Sequence, residues 1–308
     1  MAMSKSVVIS DSDLEFGLLE ELFKQLKAGK KTSGKKGLTW DHIRALNEHR
    51  NPFERKEIEK VLPYADERVA SNYGYSPDHR DLTADEQVVS LRKIFPELTI
   101  GDEDVNRIVD VFGKPVLEGA ESKKLMYDYR EVAKLAGVSL KGKAEIEVYC
   151  IAVQVVIDRL KQLHGKKFHN YREGALTPSH MKVVEKTSSA HTALRETQGG
   201  IWVVDTQFGK LWAGASVRHA QVRFAGNEFG WGPYGVTSQL LTHPNRITSR
   251  EQLYIDCAGV EYTPYASGDF SACLHFNWDV SHERLGLFYY STDDCHEQWG
   301  SASGFLPQ

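Results

Sequence analysis

The chain has 308 residues, 41% hydrophobic and 26% charged, with a formal net charge of −4. Wholesale disorder is excluded, because there is enough apolar material for a core. The slightly acidic balance excludes a protein devoted to coating nucleic acid. No apolar run reaches the ~20 residues of a membrane-crossing helix. MAMSKSVVISDSD has no hydrophobic signal core. Cys150, Cys257, Cys273 and Cys295 contain no CxxC pair and do not make a disulfide framework. The expectation is a cytoplasmic protein with no membrane and no nucleic-acid partner.

In chain order, Asp13–Leu26 carries Leu14, Phe16, Leu18, Leu19, Leu22, Phe23 and Leu26 at helical spacing. GKKTSGKKG, residues 29–37, is a basic break, and Thr39 caps a short helix that Asn51-Pro52 ends. Thr83 and Glu86 form a capping box for a helix closed by Pro96. Ser122–Ala136 reads as an amphipathic helix with Gly137 as its stop. Ala144–Leu163 is the longest and most apolar segment, ended by Gly165, and predicts a central buried helix.

Composition changes after Gly199-Gly200. Residues 201–308 hold 6 basic against 11 acidic side chains, with Lys210 the only lysine and five of the six tryptophans. Short aromatic or β-branched runs follow at Ile201–Val204, Ser216–Phe224, Gln252–Ile255, Ala272–Phe276 and Leu285–Tyr290, predicting strands. GNEFGWGPYG, residues 226–235, is too rich in glycine for a regular element and predicts a structured loop folded over Trp231. The fold class expected is α+β: a helical N-terminal part, then a strand-poor, loop-rich domain. The boundaries are 1–80 and 81–175 for the helical segments and 176–308 for the last domain.

Two motifs are near misses. Gly29–Lys36 approaches the phosphate-binding GxxxxGK[ST] pattern, but Lys36 replaces the hydroxyl and a helix precedes it instead of a strand. Neither a GxSxG elbow nor an HExxH signature is present, so no enzyme chemistry and no cofactor is expected. Cys273, His275, Cys295 and His296 are ligand-type side chains, although their spacing lacks the usual metal-site gaps. They carry the alternative of a metal-dependent enzyme or zinc-stabilised domain. A second alternative is an adaptor acting through its N-terminal helices.

Residues 269–308 read DFSACLHFNWDVSHERLGLFYYSTDDCHEQWGSASGFLPQ. A hydrophobic frame of Leu274, Phe276, Leu285, Leu287, Trp299 and Ala302 alternates with adaptable polar side chains. These are His275, Asn277, Asp279, Ser281, His282, Tyr289, Tyr290, Ser291, Asp293, Asp294 and His296. Rigid aromatics supply contact area at low entropy cost, and short polar groups supply hydrogen bonds. Several of these residue types are reachable from an Asn codon when its adenines are replaced. With GGIWVVD, FGKLWAGAS, FGWGPYG and the ending WGSASGF, the segment resembles the variable proteins of diversity-generating retroelements. The resemblance implies a C-type-lectin-like or formylglycine-generating-enzyme-like domain, a variable region at about 270–300, and binding of a protein ligand. No Glu-Pro-Asn or Gln-Pro-Asp motif of calcium-dependent sugar binding is present. If the tail is an exposed binding surface, Tyr289→Ala or Tyr290→Ala should change stability by less than about 1 kcal/mol.

Overall fold

A computed structural model describes residues 64, 67–265 and 268–307. The expected helices at 13–26 and 39–46 and the basic break at 29–37 lie outside the described residues. Contacts mark Glu67–Gln308 as one compact unit. Among the described residues no helix is long and apolar enough to cross a membrane.

The first helix, α1 (Ala84–Ile94), begins where the capping box requires. The Thr83 hydroxyl accepts from the Glu86 amide, and the Glu86 carboxylate accepts from the Thr83 amide. α2 (Asp102–Phe112) follows. Ser122–Ala136 departs from expectation. It opens as a strand, β1 (Ser122–Tyr127), and only then turns into α3 (Tyr129–Ala133) and one 3-10 turn ending at Gly137. Lys123 and Lys124 gave the segment its amphipathic look, yet both are buried. Lys123 Nζ meets Asp205 at 3.0 Å, and Lys124 Nζ meets Asp81 at 2.7 Å. The side chain of Gln87 in α1 closes the outer edge of β1. It donates to the Lys123 carbonyl at 2.9 Å and accepts from the Leu125 amide at 2.8 Å, so that the edge is no longer open for pairing.

The long apolar helix is α4 (Glu145–His164), capped by Gly165 at a positive φ of 55°. Val148, Tyr149, Ala152, Val153, Val156, Ile157 and Leu160 are all buried, as a central helix demands. After it come β2 (Phe168–Asn170), β3 (Met181–Val183) and α5 (Glu185–Gln198). β4 (Ile201–Ala213) extends well beyond the predicted run. Ser216–Phe224, read as a strand, is instead α6 (Val217–Arg223), with the Ser216 hydroxyl accepting from the His219 amide as N-cap. The glycine-rich segment holds β5 (Glu228–Gly230) and the start of α7 (Pro233–Thr242), a helix buried throughout. Its glycines serve close packing: a Cβ at Gly235 would stand 2.3 Å from the Trp231 ring. The remaining strands are β6 (Tyr254–Asp256), β7 (Val260–Tyr262), β8 (Ala272–Asp279), β9 (Arg284–Ser291) and β10 (Trp299–Phe305).

The ten strands form one mixed sheet, in the order β1-β4-β10-β6-β8-β7-β3, with β9 joining β8 to β2 and β5 paired to β10. Together with seven α-helices among the described residues, this overturns the expected strand-poor, loop-rich, C-type-lectin-like domain. The physical reason lies in β4 and β10. Their glycines, serines and polar residues read as loop, but pairing and near-complete burial make them central strands. Strands from both sides of residue 175 share the sheet, because β1 pairs β4 and β2 pairs β9. α4, α5 and α7 pack along its apolar face, over Trp202, Val204, Phe276 and Leu287.

Candidate functional site

β8 and β9 form an antiparallel hairpin with eight consecutive pairs, from Ala272 opposite Ser291 to Asp279 opposite Arg284. Side chains alternate between its faces. Leu274, Phe276, Leu285 and Leu287, with Ala302 of β10, point to the helix-covered face and are 0–1% exposed. These are five of the six residues of the hydrophobic frame expected from the sequence; the sixth, Trp299, lies on the opposite face, against His275 and Tyr290.

The opposite face carries His275, Asn277 and Asp279 on β8, and Phe288 and Tyr290 on β9. Tyr254 and Asp256 of β6 and Trp299 and Ser301 of β10 continue it, since β6 lies between β8 and β10 in register. Rings run across these strands in contact. Phe288 stacks on Tyr171 at 4.2 Å and on His275 at 5.9 Å. His275 meets Tyr290 at 4.7 Å and Trp299 at 5.4 Å. Tyr290 and Trp299 lie 3.8 Å apart, and the exposed His296 covers Trp299 at 5.0 Å. Gly286 allows this layer: a Cβ there would strike the Phe288 ring at 2.2 Å.

Polar atoms without partners lie under the rings. Both carboxyl oxygens of Asp256, Nδ1 of His275, the Tyr290 hydroxyl, Oδ1 of Asn277 and Oγ of Ser301 are enclosed and make no hydrogen bond. Burial pushes the Asp256 carboxyl up to about 7, opposed by the facing Tyr290 hydroxyl. Burial also pushes His275 down to about 3, so its imidazole is neutral. Enclosing even a neutral polar group without a hydrogen bond costs on the order of 2–7 kcal/mol, and an ionised carboxylate far more, so enclosure favours the protonated acid.

Both ends of the hairpin are polar and exposed. At the turn, Asp279 accepts from the Ser281 amide at 3.1 Å, pairs with His282 Nδ1 at 2.8 Å, and bonds the Tyr171 hydroxyl. Arg284 donates to that same hydroxyl at 2.7 Å. At the other end, Ser291 bonds Asp293, whose carboxylate lies 3.8 Å from Arg218. His296 Nδ1 accepts from the Gln298 amide at 3.2 Å. Ser281, His282, Asp293, Asp294 and His296 are exposed, and Asn277, Asp279 and Ser291 are half-buried.

Not every predicted side chain joins this surface. Tyr289 points to the helix-covered face, against Tyr262 at 5.6 Å and under the Arg172 guanidinium at 4.7 Å. His275 is 3% exposed and lies beneath the rings. Among the described residues no group of three or more His, Cys, Asp or Glu side chains could hold a metal, so Cys273, His275, Cys295 and His296 do not converge as ligands. Cys273 is fully buried, its thiol directed at the Leu274 carbonyl at 3.0 Å. Tyr171, Tyr254, Asp256, Phe288 and Ser301 belong to the surface but were not read from the sequence. Parity from Tyr290 along β9 would have reached Phe288, whereas Tyr171, Asp256 and Ser301 come from distant segments.

No protein-family model, curated protein or solved structure matches this chain.

Proposed function

We propose that the chain is a binding protein whose recognition surface is the outward side of the β8–β9 hairpin and the segment after it. The ligand is a protein, and the surface is diversified as in the variable proteins of diversity-generating retroelements. One observation carries this reading: the frame is sealed, while the hairpin turn and the segment after β9 stand in solvent. Leu274, Phe276, Leu285, Leu287 and Ala302 are sealed at 0–1% exposure, while Ser281, His282, Asp293, Asp294 and His296 stand in solvent. Exposed side chains on a paired hairpin tolerate replacement at little stability cost. The absence of lysine from 211 to 308 also suits a protein-contacting face.

The test is sequencing of the 3′ end of the gene and its flanks across the source population. The expected result is a near-copy of the last coding stretch, differing where the copy has adenine, with codons such as those for Asn277, His282 and Asp293 varying between individuals. An invariant 3′ end without a second copy overturns diversification.

A further inference from the structure

Away from the hairpin face, a cavity of about 480 Å³ opens between the first turns of α4, the outer side of α5 and strand β3. Its size is that of small-molecule sites. Tyr129, Tyr149, Met181 and Phe270 are among its lining residues, as is His191 of α5. The His191 ring is 3% exposed and stacks on Trp202 at 5.4 Å and on Tyr149 and Trp231 at 6.1 Å each. Its Nε2 is enclosed and has no hydrogen-bond partner. Burial, reinforced by the charge of Arg195, keeps the ring neutral, so it carries one donor and one acceptor nitrogen.

The charges at the cavity are already committed. Glu145 accepts from Arg130 Nε at 3.0 Å and Nη2 at 2.5 Å, and from the Tyr129 hydroxyl. Arg195 is held by Asp128 and stands 3.7 Å from Glu145. Lys182 is bound to Glu261 at 2.8 Å. Neither an anionic nor a cationic ligand finds an unpaired countercharge among the lining side chains. Aromatic walls favour a flat ring system.

We propose that this cavity is a binding site for an uncharged, flat aromatic small molecule that packs against Tyr129, Tyr149 and Phe270. The site is independent of the hairpin surface.

The test is a fluorescence titration of the full chain with N-phenyl-1-naphthylamine, an uncharged aromatic with one N–H, and with its sulfonated relative 8-anilino-1-naphthalenesulfonate. The expected result is saturable binding of one equivalent of the uncharged probe, at least tenfold tighter than the sulfonate. Ser188 is exposed at the cavity mouth. Ser188→Trp should weaken the probe at least tenfold without moving the thermal unfolding midpoint. Absence of saturation, or a titration that Ser188→Trp leaves unchanged, overturns the site. Tighter binding of the sulfonate overturns the uncharged class.

Discussion

The two faces of the sheet are finished in different ways. On one, helices α4, α5 and α7 seal Trp202, Phe276 and Leu287, and the layer is apolar and continuous. On the other, the strands' own rings lie over polar atoms that have no partners, and Phe288, Tyr290 and Trp299 remain half-exposed. The first face holds the fold. The second tolerates an enclosed carboxyl and a hairpin whose turn and trailing segment stand in solvent. Stability and display are thus divided between the faces of the same strands, one residue apart.

The largest expected effect comes from acid. Burial pushes His191, His243 and His275 down to about 3, and the Lys124 charge assists at His243. In the unfolded chain a histidine titrates near 6.5. A depressed folded value contributes stability above the unfolded one, and that stability is lost as pH falls towards the folded value. At pH 5 each of the three costs up to about 2 kcal/mol, so denaturant midpoints should drop steeply between pH 6.5 and 4. His79, pushed down to about 4 but nearer solvent, adds less. A flat profile over that range would place these rings in water.

Next comes a pair of truncations across the strand pleat. Phe276 is fully enclosed, and Phe276→Ala should cost about 3–5 kcal/mol in a urea titration. Phe288 is half-exposed, and Phe288→Ala should cost only about 1 kcal/mol. Equal losses would erase the distinction between the faces. Tyr290 falls between them: its ring is clamped by His275 and Trp299, so Tyr290→Ala should cost about 2 kcal/mol, more than its sequence suggested.

Asp256 gives an effect of opposite sign. Its carboxyl is raised, so the folded state holds the proton that the unfolded state releases, and stability is lost as pH rises from about 4 through 7. Asp256→Asn removes that loss. The variant should be more stable by roughly 2–4 kcal/mol at pH 8, with the gain closing at pH 4. A loss at pH 8 would mean that the carboxylate has a favourable partner in solution.

Where sequence reading succeeded, local chemistry decided the outcome. The Thr83–Glu86 box, the apolar run of α4 with Gly165, and the alternation in β8 and β9 each contain their own instructions. Where it failed, a distant partner decided. Lys123 and Lys124 look solvated until Asp205 and Asp81 are brought to them. Ser216–Phe224 has strand-forming residues, but the Ser216 cap and the burial of Val217 and Ala220 make it a helix. WGSASGF has little strand propensity, yet β4, β5 and β6 all pair with it. The frame of the candidate surface was legible because its period is two. Its floor was not, because Asp256 and Ser301 reach it through pairing between strands far apart in sequence.

The smallest expected effect sharpens the contrast between the faces most. Ser281, His282, Asp293, Asp294 and His296 are exposed and Asn277 is half-buried; His282 bonds Asp279, Asp293 bonds Ser291, and His296 accepts from the Gln298 amide. Exposed substitutions of this kind change stability within about ±0.5 kcal/mol each, and sites without shared partners add. The Asp279–His282 and Ser291–Asp293 contacts are exposed and screened, so breaking them costs little. A single variant replacing all six should therefore unfold within about 2 kcal/mol of the parent. Replacing Leu274, Phe276, Leu285 and Leu287 with alanine should leave no folded protein at all. Collapse of the six-fold variant would tie the hairpin's display side to its frame, and the separation of the two faces would fail with it.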